Sequence, residues 1–326
     1  MTETILETQE LKKYFPVRSP LLKRTIGWIR ALDGVSFAIQ RGEIFGLVGE
    51  SGCGKSTLGK TLLGIYQPTQ GKVIFKGQLI SDLPKKAARK LRREIQYVYQ
   101  DPGASLDPWW TTERLLREPL VIHTDLSRQE MDERIRRMIH AVGLEEEHLS
   151  RYPHEFSGGQ QRRLALARIL TLNPDLIIFD EPTSGLDVSV QATILKLFKD
   201  LKEAFHLTYL FISHDLSVIR MMCHRVAVMY LGVIVEMGPT EAVFAQPKHP
   251  YTKALLAAIP VPRVTPEQEE IVLEGEPPSP EHLPSGCRFR LRCPYAEEDP
   301  CSLREPPLEE SDSGHYVACH LQEKVE

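Results

Sequence analysis

The chain has 326 residues, 42% of them hydrophobic and 26% charged, with a formal net charge of -4. That length holds one large domain plus a small appendage, the composition is that of an ordinary globular protein, and the charge balance offers no general attraction to a polyanion, so no nucleic-acid partner is expected.

The first ten residues carry Glu3 and Glu7 and no apolar leader core, which predicts a chain that stays in the cytosol. The longest apolar stretch, Val226 to Val235, falls far short of the roughly 20 residues that cross a bilayer. Membrane association is therefore expected only through a partner. Residues 21–30 mix apolar and basic side chains as a membrane-surface helix does, but the segment is short and contains Gly27, so it reads as a surface loop or hairpin.

Short apolar runs, Ile44 to Val48, Leu176 to Phe179 and Tyr209 to Ile212, are bounded by turn residues and separated by helical patterns, as buried parallel strands of an α/β core are. The basic run from Lys85 to Arg93 reads as a solvated helix face. Between about residues 101 and 170 helical periodicity takes over, as in Met131 to Ile139, and predicts a helical insert. From Pro260 onward prolines crowd the sequence, which suits an extended linker and places a domain boundary near residue 260. No internal repeat is evident.

Directly after the first apolar run, Gly49-Glu50-Ser51-Gly52-Cys53-Gly54-Lys55-Ser56 satisfies the phosphate-loop pattern G-x-x-x-x-G-K-[ST]. Its glycines let backbone N–H groups turn inward on phosphates, and the helix beginning near Lys55 adds its positive end. Lys55 is expected on the β and γ phosphates, Ser56 on Mg2+, and Thr57 near the α and β phosphates. Cys53 reads as a small filler.

The second run, Leu176 to Phe179, ends in Asp180-Glu181, where a parallel strand delivers its C-terminal end to a ligand crevice. Asp180 is expected to hold the Mg2+ shell and Glu181 to polarise the attacking water and accept its proton. The third run ends in Ser213-His214-Asp215, and His214 is positioned to reach the γ phosphate and that water. Ser157-Gly158-Gly159-Gln160, ahead of a helical pattern, supplies a second anion site with bare N–H groups and a helix dipole.

In this order the motifs resemble those of ATP-binding cassette proteins, with Ser157 to Gln161 resembling the family signature. The resemblance implies a P-loop NTPase cassette with an N-terminal antiparallel β-subdomain and a helical subdomain. It also implies a head-to-tail pair of cassettes in which the signature of one closes over the nucleotide of the other. By the same resemblance Gln100 is the glutamine linking Mg2+ to a transmembrane partner, Asp187 the acid after Ser184-Gly185-Leu186, and Tyr14 the aromatic stacked on adenine, with Phe15 its neighbour. Phe156 stands where the signature most often has leucine.

Four of the six cysteines, Cys287, Cys293, Cys301 and Cys319, lie in the last forty residues, without a C-x-x-C pair. Zinc sites usually contain such pairs, whereas a cluster accepts cysteines from irregular loops, one of them before a proline as Cys293 is. Spacing alone leaves cluster, zinc and metal-free readings open. The tail, with Lys248-His249-Pro250-Tyr251-Thr252, Cys293-Pro294-Tyr295-Ala296 and Val317-Ala318-Cys319-His320, resembles the C-terminal extension of oligopeptide and dipeptide importer ATPases. That resemblance implies a [4Fe-4S] cluster, with Zn2+ the alternative, and His315 or His320 able to replace a ligand.

The organisation expected is a cassette over residues 1–260 and a proline-rich extension with a four-cysteine site over 261–326. The expected function is ATP hydrolysis powering a peptide importer at the cytoplasmic face of the inner membrane. Its expected partners are a second, different cassette subunit, two transmembrane permease subunits and an extracytoplasmic binding protein. The same architecture serves importers of nickel, opines or oligosaccharides. A soluble cassette ATPase of DNA repair or translation shares the motifs but carries a long coiled coil or two cassettes per chain. A third reading has the tail sense redox state and gate ATP turnover.

Overall fold

The computed structural model describes residues 3–19, 24–80, 83–100, 103–259 and 275–322. The expected boundary near residue 260, the prolines from Pro260 to Pro266, and Leu21, Leu22 and Lys23 lie outside them. The chain divides into two compact units, one of Met1–Gln40, Ile44–Ser81 and Phe211–Glu326, the other of Arg41–Glu43 and Asp82–Leu210.

The first unit opens with β1 (Thr4–Arg18) and β2 (Thr25–Gln40), a long antiparallel hairpin in which Val17 lies opposite Gly27. The segment read as loop or hairpin is thus hairpin strand where it is described, and it carries Ile26 and Trp28 exposed. Then come β3 (Ile44–Val48), buried at every position, and α1 (Lys55–Leu62). They are followed by β4 (Gln70–Phe75) and β5 (Gln78–Leu79), which complete an antiparallel sheet of order β2-β1-β4-β5.

The second unit holds α2 (Lys85–Glu94), β6 (Ile95–Val98), α3 (Thr112–His123), α4 (Arg128–Ala141), α5 (Gly158–Leu170), β7 (Leu176–Asp180) and α6 (Val188–Phe205). β6 and β7 run parallel, Val98 beside Phe179. The helical periodicity read from sequence appears as α4, which buries Ile135, Met138 and Ile139 at i, i+3, i+4 spacing. Ser127 and Glu130 cap its start reciprocally, so the donors of its first turn are satisfied.

β8 (Thr208–Ser213) begins in the second unit and ends in the first, and is buried throughout. The first unit then continues through α7 (Leu216–Met222), β9 (Arg225–Tyr230), β10 (Val233–Pro239), α8 (Thr240–Ala245) and α9 (Pro250–Ala257), ending in β11 (Glu309–Asp312) and β12 (His315–Val317). β9 lies parallel to β3, and β10 carries β9 on one side and β12 on the other, both antiparallel. The uniformly buried β3, β7 and β8 are what a strand covered on both faces requires, each buried Leu, Ile or Phe contributing about 1.5–3 kcal/mol.

Behind β12, the carboxylate of Glu236, 0% exposed, accepts from the backbone N–H groups of Lys248 and His249 and bonds His315 Nε2 at 2.8 Å. A fully buried acid is thereby met by three partners, which a buried charge requires. Among the described residues no helix is long and apolar enough to cross a membrane.

Candidate functional site

In the first unit the chain leaves β3 through Gly49 and re-enters a helix at Lys55. Gly49 has φ of +153° and Gly54 +113°; a Cβ at either would stand 2.2 Å from a backbone oxygen, of Met229 and Ala31 respectively. Only glycine fits both positions, so the loop is held by close backbone approach as well as by permissive φ. Ser51 and Gly52 are exposed at its crest.

Lys55 is buried and donates to the carbonyls of Gly49 at 2.6 Å and Glu50 at 2.9 Å. Those oxygens hold the ammonium over the loop that phosphate would fill. Ser56 is exposed at the first turn of α1, with Thr57 partly covered behind it. Cys53 packs under the loop near Gly49, and burial pushes its thiol up despite the neighbouring Lys55. It acts there as the small filler expected.

Tyr14, on β1, donates its phenol hydrogen to Asp33 Oδ1 and lies under the Arg30 guanidinium, 5.7 Å from its ring centre. Burial and the Asp33 carboxylate push the Tyr14 phenol up to about 12. Phe15 instead meets Tyr66 edge-on at 5.2 Å. His214, at the end of β8, is exposed, and Asp215 caps α7 by accepting from the backbone N–H groups of Ser217 and Val218.

In the second unit the acids close β7. Asp180 is buried, and Tyr97 donates its hydroxyl hydrogen to Asp180 Oδ2 at 2.5 Å. Glu181 adopts φ of +51°, a left-handed conformation that is uncommon for glutamate and clusters at working sites. Its Oε2 accepts from Gln100 Nε2 at 3.3 Å. Gln100 and the Asp180-Glu181 pair, read from separate stretches of sequence, therefore meet at the ends of paired strands, and Tyr97 joins them.

Ser157 is the N-cap of α5: its hydroxyl accepts from Gln160 N–H and its own N–H donates to Gln160 Oε1 at 3.0 Å. Ser157 and Gly158 are exposed, with Gly159 and Gln160 half-buried, so the helix start is open to a ligand. Phe156 turns inward and is buried beside His148. Asp187 is the exposed N-cap of α6, with no hydrogen bond from its side chain to that helix. Arg162, one turn into α5, donates to the carbonyl of Ser184 at 3.1 Å and so ties the signature helix to the segment leading to Asp187.

The four tail cysteines line one cavity of the first unit, together with His249, Phe289 and His320. Burial pushes the thiols of Cys287 and Cys293 up to about 11 and raises that of Cys319. They meet without forming a single-ion ligand set, since among the described residues no group of three or more His, Cys, Asp or Glu side chains is arranged to hold one metal ion. His315 bonds Glu236 instead of facing the thiols.

Sequence reading missed Tyr97, whose signal is only its place three residues before Gln100. It also missed Arg288 and Arg292, which flank the cysteines in Cys287-Arg-Phe-Arg-Leu-Arg-Cys293. Arg292 pairs bidentately with Glu50 of the phosphate loop, at 2.7 and 3.0 Å, and Arg288 donates to Asp33 at 2.6 Å.

A glycine-shaped phosphate loop after a buried strand, an Asp-Glu pair ending another, and an open Ser-Gly-Gly helix start define a P-loop ATPase of the cassette type. The chain belongs to the ABC transporter family. That family's profile matches residues 32–184, and one described as "Oligopeptide/dipeptide transporter, C-terminal region" matches 235–301. An oligopeptide transport ATP-binding protein of Bacillus subtilis is 50% identical over 322 residues, covering 98% of each chain. A di/tripeptide transport ATP-binding protein of Pseudomonas aeruginosa is 47% identical, covering 99% of each. Among solved structures, the cassette cbiO1 of Clostridium perfringens superposes with a TM-score of 0.65 at 30% identity over 75% of this chain and 92% of that one. The cassette MJ0796, in a post-hydrolysis dimer bound to ADP and Pi, gives 0.63 at 29% over 72% and 99%.

Proposed function

We propose that this chain hydrolyses ATP to power import of dipeptides or oligopeptides across a cytoplasmic membrane. The observation that carries the reading is the presence, in one chain, of two phosphate grips, the loop at Gly49–Lys55 and the helix start at Ser157, together with a tail of the peptide-transporter type. In the head-to-tail arrangement of cassettes the two grips on one nucleotide come from different chains, so this chain works with a second cassette subunit. Two permease subunits and an extracytoplasmic binding protein complete the machine, and the chain sits peripherally at the cytoplasmic face.

Within it Lys55 and the loop N–H groups bind the β and γ phosphates. Mg2+ would be held by oxygen donors, as a hard cation requires, and the residues read for it are Ser56, Asp180 and Gln100. When bound it would neutralise phosphate charge. Glu181 orients the water and takes its proton, Gln100 holds that carboxylate in place, and His214 contacts the leaving phosphate. Tyr14 stacks on adenine, and Asp187 faces the partner cassette.

The cysteine cavity is read as the seat of a [4Fe-4S] cluster, with zinc the alternative. Convergence of four sheltered thiols on one space supports it, since thiolate ligation is how such groups are held. The cassette over 1–260 and extension over 261–326 remain the working division. Co-purification with both permeases and the second cassette in lipid tests the whole reading: peptide-dependent ATP turnover supports it, and turnover indifferent to peptide and permease would sink it. Iron content of the same sample decides the cavity.

A further inference from the structure

The turn between Cys287 and Cys293 does more than present thiols. It is fixed from within by hydrogen bonds of Arg290 N–H to the Cys287 carbonyl and Arg292 N–H to the Phe289 carbonyl. Phe289, 1% exposed, anchors it against Tyr230 (5.3 Å, edge-on), Tyr251 (5.4 Å) and His249 (5.6 Å). From this anchored turn the two arginines reach in different directions.

Arg292 reaches the phosphate loop. Every polar part of Glu50 is engaged: its carboxylate takes the Arg292 fork, its N–H donates to Tyr251 Oη at 2.9 Å, and its carbonyl accepts from Lys55. The ties through Arg292 and Tyr251 come from the C-terminal part of the chain, while the Glu50 carbonyl also accepts from the Cys53 N–H at 3.3 Å within the loop. When Lys55 turns to phosphate it gives up the Gly49 and Glu50 carbonyls, and the loop then leans more on what else holds Glu50. The Arg292 side chain is 6% exposed, so the pair is little screened by solvent.

Arg288 reaches instead toward Tyr14 through Asp33. It donates to Asp33 Oδ2 at 2.6 Å and to the Leu231 carbonyl at 2.5 Å, and pairs with Glu305 at 2.8 Å. Asp33 is the residue that accepts from the Tyr14 hydroxyl. Burial works against its carboxylate, but the bonds from Tyr14 and Arg288 hold it below the usual carboxylate range.

We propose that Arg288 and Arg292 are positioning residues for nucleotide: the cysteine-flanked turn clamps the phosphate loop through Glu50 and the adenine-side tyrosine through Asp33. The inference rests on the nucleotide reading of Lys55 and Tyr14 given above. Because one arginine acts at the phosphates and the other at the ring, their effects separate by ligand.

The test is equilibrium binding of ATP, ADP and AMP with Mg2+ to the full chain. Arg292→Ala should weaken ATP and ADP about tenfold and leave AMP within about twofold, with Arg292→Lys recovering part of the loss. The Glu50→Arg, Arg292→Glu double variant should bind ATP better than either single change, a rescue that general loosening of the fold does not produce. Arg288→Lys should weaken all three ligands by the same factor, and in a Tyr14→Leu background it should have no further effect. Equal losses for ATP and AMP on changing Arg292, unchanged affinities in folded variants, or failure of the charge swap would each overturn the clamp. Lys55→Ala separates the two readings: if it binds ATP like the unchanged chain, the nucleotide assignment itself falls.

Discussion

Tyr97 holds Asp180. The two side chains meet at 2.5 Å in a buried setting, and the phenol hydrogen occupies one lone pair of the carboxylate proposed to hold Mg2+. Tyr97→Phe removes that bond and keeps the ring. The lost bond is worth about 1 kcal/mol, so the Mg2+ concentration giving half-maximal ATP turnover should rise roughly fivefold, with ATP binding in excess Mg2+ little changed. A magnesium titration reads this directly, and an unshifted midpoint would remove Tyr97 from the site.

Glu181 is held by its left-handed backbone and by Gln100. Glu181→Gln keeps the shape and deletes the carboxylate proposed as the base. Turnover should fall by roughly 10²–10⁴ while ATP binding persists and a closed cassette pair accumulates. Single-turnover kinetics with light scattering check both halves, and undiminished hydrolysis would refute the assignment.

Ser157 has two separable jobs. As N-cap it stabilises α5, and in the proposed function it also neighbours a phosphate. Ser157→Asp preserves the cap acceptor, so thermal stability should stay within about 1 kcal/mol. The new carboxylate repels phosphate, so ATPase activity of the assembled transporter should collapse. A Ser157→Asp chain that is both stable and active would exclude this helix start from nucleotide binding.

His249 supplies a pH dependence. Burial drives its pKa down from 6.5 to about 4, with Glu236 opposing the shift, and its neutral ring accepts from the Tyr251 N–H to cap α9. The ring stays neutral in the folded chain while the unfolded chain protonates it. Its contribution is therefore complete above pH 6.5 and drains away as pH falls toward 4, by up to about 3 kcal/mol. His249→Asn retains a cap acceptor without titrating. The gap in Tm between the two chains should shift in favour of the variant between pH 7 and pH 5, and parallel pH profiles would count against this source.

How far the sequence could be read depended on range. Strands β3, β7 and β8 were legible as unbroken apolar runs, and the loop at Gly49 and the helix start at Ser157 as local patterns, because in each the chemistry is set by residues a few positions apart. Helix α4 announced itself by the helical spacing within Met131 to Ile139, whereas its Ser127–Glu130 box emerged from the structure. The pairing of Arg292 with Glu50 left no such trace: the partners are 242 positions apart, and a charge in sequence does not say which charge it meets. β12 is three residues long, too short for alternation to register. The left-handed turn at Glu181 was illegible for another reason, since no glycine or asparagine marks it.

The same span of 242 residues has a consequence for how the protein is made. At about 5–20 residues per second of synthesis, the ribosome finishes the phosphate loop roughly ten to fifty seconds before it makes the arginine that secures it. A nascent chain thus carries its first phosphate grip long before that grip is braced. The nucleotide site matures only as the last forty or so residues emerge, so a truncated translation product would display the motif without the hold on ATP that a complete subunit needs to engage its partners.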